Sequence, residues 1–315
     1  MHIESENIMK DEESLCGIIV VDKPPDMTSA GVVNRLKRLP GVRKAGHTGT
    51  LDPFATGVMV CPVNRATRLS RFFLHGPKTY RATMILGVET DTQDHTGKIL
   101  KTTRPGDITY RRIESVFSGF IGISEQVPPA YSALKHKGVP LYRYARSGKP
   151  VKKPARKIHI FSLDIIDIRL PEVVFTVECS SGTYIRTLCA DIGKKLGCGA
   201  HLAGLVRTMA GGFSINEALK LEELTGIESA KMLKSRVIPM ADALRGMPSF
   251  TAGKKLEAKI ATGRPVTRLD IGPADMDGPG GPYLKIVDNR NRLLAVVEPV
   301  ENKLEYRYCC VFNST

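Results

Sequence analysis

Apolar residues recur along this chain in two rhythms. Residues 17–22 (Gly-Ile-Ile-Val-Val-Asp) and 58–63 (Val-Met-Val-Cys-Pro-Val) are continuous apolar runs with no polar alternation. That pattern predicts strands buried on both faces. Residues 78–87 read as a further strand, and 157–168 and 173–179 as a strand pair in which Phe175, Val177 and Cys179 share one face. Helical spacing appears at Val32, Leu36 and Leu39, behind Thr28 or Ser29 as the cap. It recurs at Ile185, Leu188, Cys189, Ile192 and Leu196, whose steps of three and four make a firm helix. Shorter helices are predicted at 67–73, 109–117 and 251–262, a strand at 119–123, and a hairpin from 283–288 and 293–299. Helices interspersed with antiparallel and mixed strand pairs place the chain in the α+β class.

Punctuation divides these elements. Lys23-Pro24-Pro25-Asp26-Met27 breaks regular structure, residues 91–97 form a polar turn, and the Gly/Pro/Asp-rich residues 272–282 form a loop. The densest break is Gly46-His47-Thr48-Gly49-Thr50-Leu51-Asp52-Pro53-Phe54-Ala55-Thr56-Gly57. Its glycines supply left-handed backbone and close approach, and its proline fixes φ. A carboxylate, Asp52, and an imidazole, His47, sit inside it, directly before a buried strand. A stiff loop of this kind can hold a catalytic acid or nucleophile. On residue content alone, a turn whose Asp caps its own backbone is the commoner outcome.

Composition changes the picture only through charge. A hydrophobic content of 42% and a charged content of 25% over 315 residues allow one large domain and a small one. The formal net charge of +14 calls for a polyanionic partner, nucleic acid or an anionic surface. No apolar run approaches the roughly 20 residues of a membrane span. Residues 1–16 carry five acids against Lys10 and read as a disordered acidic tail. The seven cysteines form no CxxC pair, which points to a reducing cytoplasm and away from disulfides or a zinc site. Residues 135–157 contain nine Lys or Arg and no acid, with Tyr142 and Tyr144 between them. Gly138, Pro140, Gly148 and Pro150 interrupt that stretch and discourage a single rigid helix. It reads as an exposed clamp for phosphates, its tyrosines available to stack or pack.

The wording of the central loop resembles the GHTGTLDPxATG signature of the TruB family of pseudouridine synthases, which isomerise uridine 55 in the T arm of tRNA. Ser181-Gly182-Thr183-Tyr184-Ile185-Arg186 resembles a later motif of the family, and 201–212 the next. Residues 127–135 with Leu141, Tyr142, Ala145, Arg146 and Gly148 resemble its bacterial thumb insertion. The resemblance implies a mixed or antiparallel-sheet catalytic domain over 17–247, with the thumb at about 127–157. Residues 248–315 weakly resemble a small β-rich PUA-like RNA-binding domain.

It also implies roles. Asp52 is the nucleophile, Arg186 its ion-pair partner, favouring the ionised carboxylate, and Tyr80 completes the catalytic set. His47, Tyr80 and Tyr184 are aromatic surfaces for a base flipped out of the T loop. Leu205 lines the nucleoside pocket. Lys23, in Asp22-Lys23-Pro24, looks like the family's first motif and joins the substrate-side set as support for the catalytic loop. The family usually has two arginines after the leucine; this chain has Val206 and then Arg207. Whether the aspartate attacks the sugar, attacks the base or removes a sugar proton stays open. An isomerisation needs no redox partner, and neither cofactor nor metal is expected. The expected partner is tRNA, with a cytoplasmic monomer acting without an obligatory protein partner. Two rivals are a guided synthase of the dyskerin type, against which the thumb and the ATGV wording weigh, and a non-catalytic RNA-binding protein.

Overall fold

A computed structural model describes residues 15–272, 282–301 and 304–312. The first strands are β1 (Gly17–Lys23), β2 (Thr56–Val63) and β3 (Lys78–Leu86). β4 (Val88–Thr90) and β5 (Ile99–Thr102) form a separate hairpin, and β6 (Gly122–Gln126) is followed by the two-residue strands β7 (Lys135–His136) and β8 (Val139–Pro140). β9 (Arg156–Arg169), β10 (Glu172–Cys179) and β11 (Ala200–Ala210) complete the set that frames the site. The main helices there are α1 (Ser29–Leu36), α2 (Ser70–Leu74), α3 (Tyr110–Ser118), α4 (Leu141–Arg146) and α5 (Ile185–Leu196).

One ten-stranded sheet organises the larger part of the molecule. Its order is Leu219–Lys220, β1, β2, β11, β3, β10, β9, β6, with Phe213–Ser214 added to β11 and Ile238–Pro239 to β1. Pairings are antiparallel except β2 with β11 and β1 with Leu219–Lys220, so the sheet is mixed. A second, five-stranded sheet uses Ser249–Thr251, Val266–Thr267, Leu284–Val287, Leu293–Pro299 and Glu305–Val311. The expected hairpin of this β-rich end is present, with Leu284 opposite Val297.

The continuous apolar runs have a tertiary cause. In β1 and β2, Ile19, Val21, Met59 and Cys61 face the main core, while Ile18, Val20, Val58 and Val60 face a second core. That second core is closed by Val287, Leu293, Val296, Cys310 and Phe312 of the five-stranded unit. Lys285 Nζ adds bonds to Ala241 O and Leu244 O, and Arg68 Nη1 donates to Val311 O at 2.6 Å.

Several expectations shift in detail. The strand placed at 119–123 begins at Gly122, because residues 119–121 still turn back onto α3 through Gly119 N→Val116 O and Phe120 N→Phe117 O. The predicted helix at 67–73 is a 3₁₀ turn, Asn64–Leu69, running into α2. The helix expected at 251–262 starts at Lys254, since residues 249–251 pair with Leu284–Val287. The acidic tail lies outside the described residues except for Leu15 and Cys16, and there the expectation fails. Leu15 is buried in the main core, and its carbonyl accepts from Asn64 Nδ2. The loop at 272–282 also lies largely outside the described residues.

The thumb region carries a two-residue hairpin and the six-residue α4, anchored by buried Leu141. Most of its cations are exposed.

Candidate active site

The loop 46–57 is fixed from several sides. Gly46 N donates to Pro62 O and Thr48 N to Val60 O, laying its first half along β2. At the start of α1, Ser29 Oγ accepts from Leu51 N at 2.8 Å and donates to Leu51 O at 3.1 Å. One residue beyond Asp52, Pro53 O accepts from Lys23 Nζ at 2.8 Å. Asp52 is therefore held on both flanks by its neighbours' backbone, which leaves its carboxyl free to face the cleft.

That cleft has a volume of about 460 Å³, within the range of small-ligand sites. Asp52, His47, Tyr80, Tyr184, Arg186 and Leu205 all line it. Residues far apart in sequence thus converge because β3, β11 and the start of α5 are adjacent at one place in the fold. Tyr80 is also part of the main core, so its ring is both packing and wall. His47 Nδ1 accepts from Gly49 N at 3.3 Å, and burial holds the imidazole below its usual pKa, with the charge of Arg207 adding to the shift.

Arg186 is almost fully buried and spans two carboxylates. Its Nε lies 2.9 Å from Asp52 Oδ2, and its Nη1 3.4 Å from Asp94 Oδ2. Its Nη1 and Nη2 also donate to Thr92 O at 2.8 Å and Tyr131 O at 2.7 Å. Asp94 is itself buried and accepts from Thr92 Oγ1, Thr96 N and Thr96 Oγ1. The outcome for Asp52 differs from the simple expectation. Arg186 does favour its ionised form, but burial outweighs it and the charge of Asp94 adds, so the carboxyl is held above its ordinary value.

Lys23 does not reach the cleft wall. Its side chain is fully buried, and Nζ donates to Pro24 O, Met27 O and Pro53 O at 2.9, 2.6 and 2.8 Å. Those three acceptors occupy all three ammonium donors, so Lys23 is placed to brace the loop rather than to touch a substrate. Burial lowers it to about 8.

Three side chains escaped the sequence reading, and a fourth, Arg156, was read only as one of the clamp cations. Asp94 lay in a segment legible only as a polar turn. Gln126 is buried and grips the backbone of Tyr184 twice, accepting from Tyr184 N at 2.8 Å and donating to Tyr184 O at 3.1 Å. It thereby satisfies the cap residue of α5, whose own side chain makes no capping bond. Arg156 begins β9 and places its guanidinium 5.3 Å from the Tyr184 ring centroid. Lys78 lines the cleft, donates to Leu74 O and Gly76 O, and is lowered by burial to about 8. A cation-rich composition gave no means of telling these from solvated charges. Three buried wall atoms, Ser132 Oγ, Arg156 Nη2 and Arg186 Nε, have no hydrogen-bond partner among the described residues, so Arg186 Nε meets Asp52 as an ion pair only.

No cluster of three or more His, Cys, Asp or Glu among the described residues is arranged to hold a metal ion. No helix among them is long and apolar enough to cross a membrane.

Comparisons with known proteins identify the family. The model of the TruB family pseudouridylate synthase N-terminal domain matches residues 37–185, and that of the tRNA pseudouridylate synthase B C-terminal domain matches 186–245. The tRNA pseudouridine synthase B of Syntrophotalea carbinolica is 46% identical over 253 residues, 80% of this chain and 82% of that protein. The protein of the same name from Geobacter sulfurreducens is 42% identical over 272 residues, 86% of this chain and 90% of that one. A solved Cbf5-Nop10-Gar1 complex contains a chain with a TM-score of 0.72 and 26% identity, covering 96% of this chain and 87% of that chain. The chain belongs to the TruB family of pseudouridylate synthases.

Proposed function

We propose that this protein is a tRNA pseudouridine synthase that isomerises uridine 55 in the T arm. The observation that carries this reading is the convergence of Asp52, Arg186, Tyr80, Tyr184, His47 and Leu205 on one cleft. In it, a buried arginine holds the only loop carboxylate within 2.9 Å. The reaction breaks the bond between C1′ and N1, turns the base and joins C5 to C1′. A carboxylate beside the sugar serves either as nucleophile or as base. Fixing it on a clamped loop removes the cost of ordering it during the reaction.

The other wall residues suit a flipped base. Tyr184, His47 and Tyr80 bring aromatic rings to the cleft and Leu205 an apolar side chain. The wall atoms Ser132 Oγ and Arg156 Nη2 are polar groups that a nucleotide can satisfy. The basic thumb above the cleft supplies cations for the T-arm phosphates, and residues 248–315 serve as a PUA-like RNA-binding unit packed against the 17–247 catalytic part. We assign the protein to the cytoplasm, as a monomer with no obligatory protein partner and no cofactor, unlike the neighbour solved as a Cbf5-Nop10-Gar1 complex.

The test is release of tritium from C5-labelled uridine in a tRNA or a pre-folded T-arm hairpin, using the purified chain alone. Release with 1:1 product formation is the expected result. Binding without release favours a non-catalytic RNA-binding protein, and activity only with added proteins favours a guided synthase.

A further inference from the structure

Arg207 is a cation that no carboxylate pairs with among the described residues. It is 2% exposed and lines the floor of the cleft. Nε donates to Val58 O at 2.7 Å and Nη2 to Gly49 O at 3.1 Å. It also pairs across the sheet with Tyr80, the two residues being directly opposite in β11 and β3. On its other side β11 meets β2 at Gly57, where a Cβ would stand 2.3 Å from Arg207 O and φ is +101°. Only glycine permits that approach, so the close seating of Arg207 is built into the signature loop itself. Arg207 makes no ion pair among the described residues, whereas Arg186, which lines the same cleft, makes two.

A buried charge without a partner is costly, and its neighbours register it. Lys78 is lowered to about 8, chiefly by burial and next by Arg207. Burial raises the Tyr80 phenol, and the charge of Arg207 and its hydrogen bond to the hydroxyl oppose that rise. Such a charge suits a site where negative charge appears during turnover.

The reaction read above, on which this inference rests, supplies one. When the bond between C1′ and N1 breaks, its electron pair stays on the base, giving a uracil anion delocalised onto O2 and O4. A new electron pair from C5 then forms the bond to C1′, the C5 proton departs, and N1 gains a proton, so atoms and charge balance over the cycle. We propose that Arg207 is a positioning residue for this step, aligning Tyr80 and the Gly49–Val58 side of the loop while its unpaired positive charge stabilises the departing uracil anion.

Two variants test it, on single-turnover rates with saturating T-arm hairpin. Arg207→Gln removes the charge and keeps a donor. Its rate should fall roughly a hundredfold, the lower end of the range for loss of an electrostatic donor. Hairpin affinity should stay within about twofold. Arg207→Lys keeps the charge in a setting whose burial lowers the neighbouring lysines Lys23 and Lys78. Relative to the parent at each pH, its rate should be nearest normal at low pH and fall progressively behind as pH rises.

A Gln variant that folds and turns over like the parent overturns the proposal. So does a Lys variant whose pH profile parallels the parent's, or one inactive at every pH. If Gln fails to fold, the Lys profile decides alone. A parent that forms no pseudouridine refutes the functional reading instead.

Discussion

Residues 46–57 and residues 135–157 are both broken by glycine and proline, yet they end in opposite states. The first segment is clamped by Ser29, Lys23 and Arg207, through hydrogen bonds of 2.8 to 3.1 Å to its backbone. The second has one fully buried side chain on its helix, Leu141, and leaves Lys149 and Lys152 exposed. Irregular backbone is thus compatible with either rigidity or freedom. What decides is whether its carbonyls and amides find buried partners. Chemistry that depends on sub-ångström placement suits the clamped segment, and the exposed cations of the other suit long-range attraction to phosphate.

The sharpest way to break the comparison is at Asp52. Asp52→Asn should lower product formation more than about 10³-fold, as losses of a reacting group do. T-arm binding should persist, because the basic surface is untouched. Turnover and filter binding measured side by side check this, and substantial turnover would remove Asp52 from the chemistry.

Arg186→Ala comes next. It leaves Asp52 and Asp94 facing each other without their shared cation. Breaking a buried ion pair from one side costs about 3–5 kcal/mol, so the melting temperature should fall along with activity. Denaturant unfolding is the measurement, and an unchanged midpoint would contradict the buried network.

Asp94→Asn gives a subtler effect with a defined sign. Asp52 is held above its ordinary value, and chemistry needs its ionised form, so the rate should rise with pH along an acid limb centred above that value. The charge of Asp94 contributes to that elevation. Removing it should shift the acid limb to lower pH, read from single-turnover rates. A shift to higher pH would show that weakened Arg186 placement outweighs the lost charge.

The smallest effect on chemistry belongs to the thumb. Lys149→Ala, Lys152→Ala and Lys153→Ala together should flatten the salt dependence of T-arm affinity by up to about 0.7 to 0.9 per lost phosphate contact. Stability should change by no more than about 0.5 kcal/mol per exposed site. Arg156 is excluded, because it stacks near Tyr184 and has a buried Nη2, unlike a free loop cation. If affinity across a salt series matches the parent, the main RNA surface lies elsewhere.

Local chemistry by itself made much of this protein legible. The periodicity of Ile185, Leu188, Cys189 and Ile192 sufficed for α5, since helical hydrogen bonds close within a few residues. The capping at Thr28 and the apolar runs of β1 and β2 were equally local signals. Asp52, Tyr184 and Arg186 stood out only through the family resemblance of their motifs, since on residue content alone Asp52 read as a turn cap. Tertiary structure decided which charges mattered. Lys78 looks like a surface lysine in sequence and Lys23 stood out only through its likeness to a family motif, and only folding buries both against carbonyls. Asp94 becomes the second anchor of Arg186 because the 91–97 turn is carried beside α5, and Leu15 leaves the tail because Asn64 and the main core receive it. The run in β1 and β2 predicted burial on both faces, but the covering layer, drawn from residues more than 200 positions later, was set by packing alone. Burial and electrostatic partnership arise from contacts distant in sequence, so they stay invisible until the chain has closed on itself.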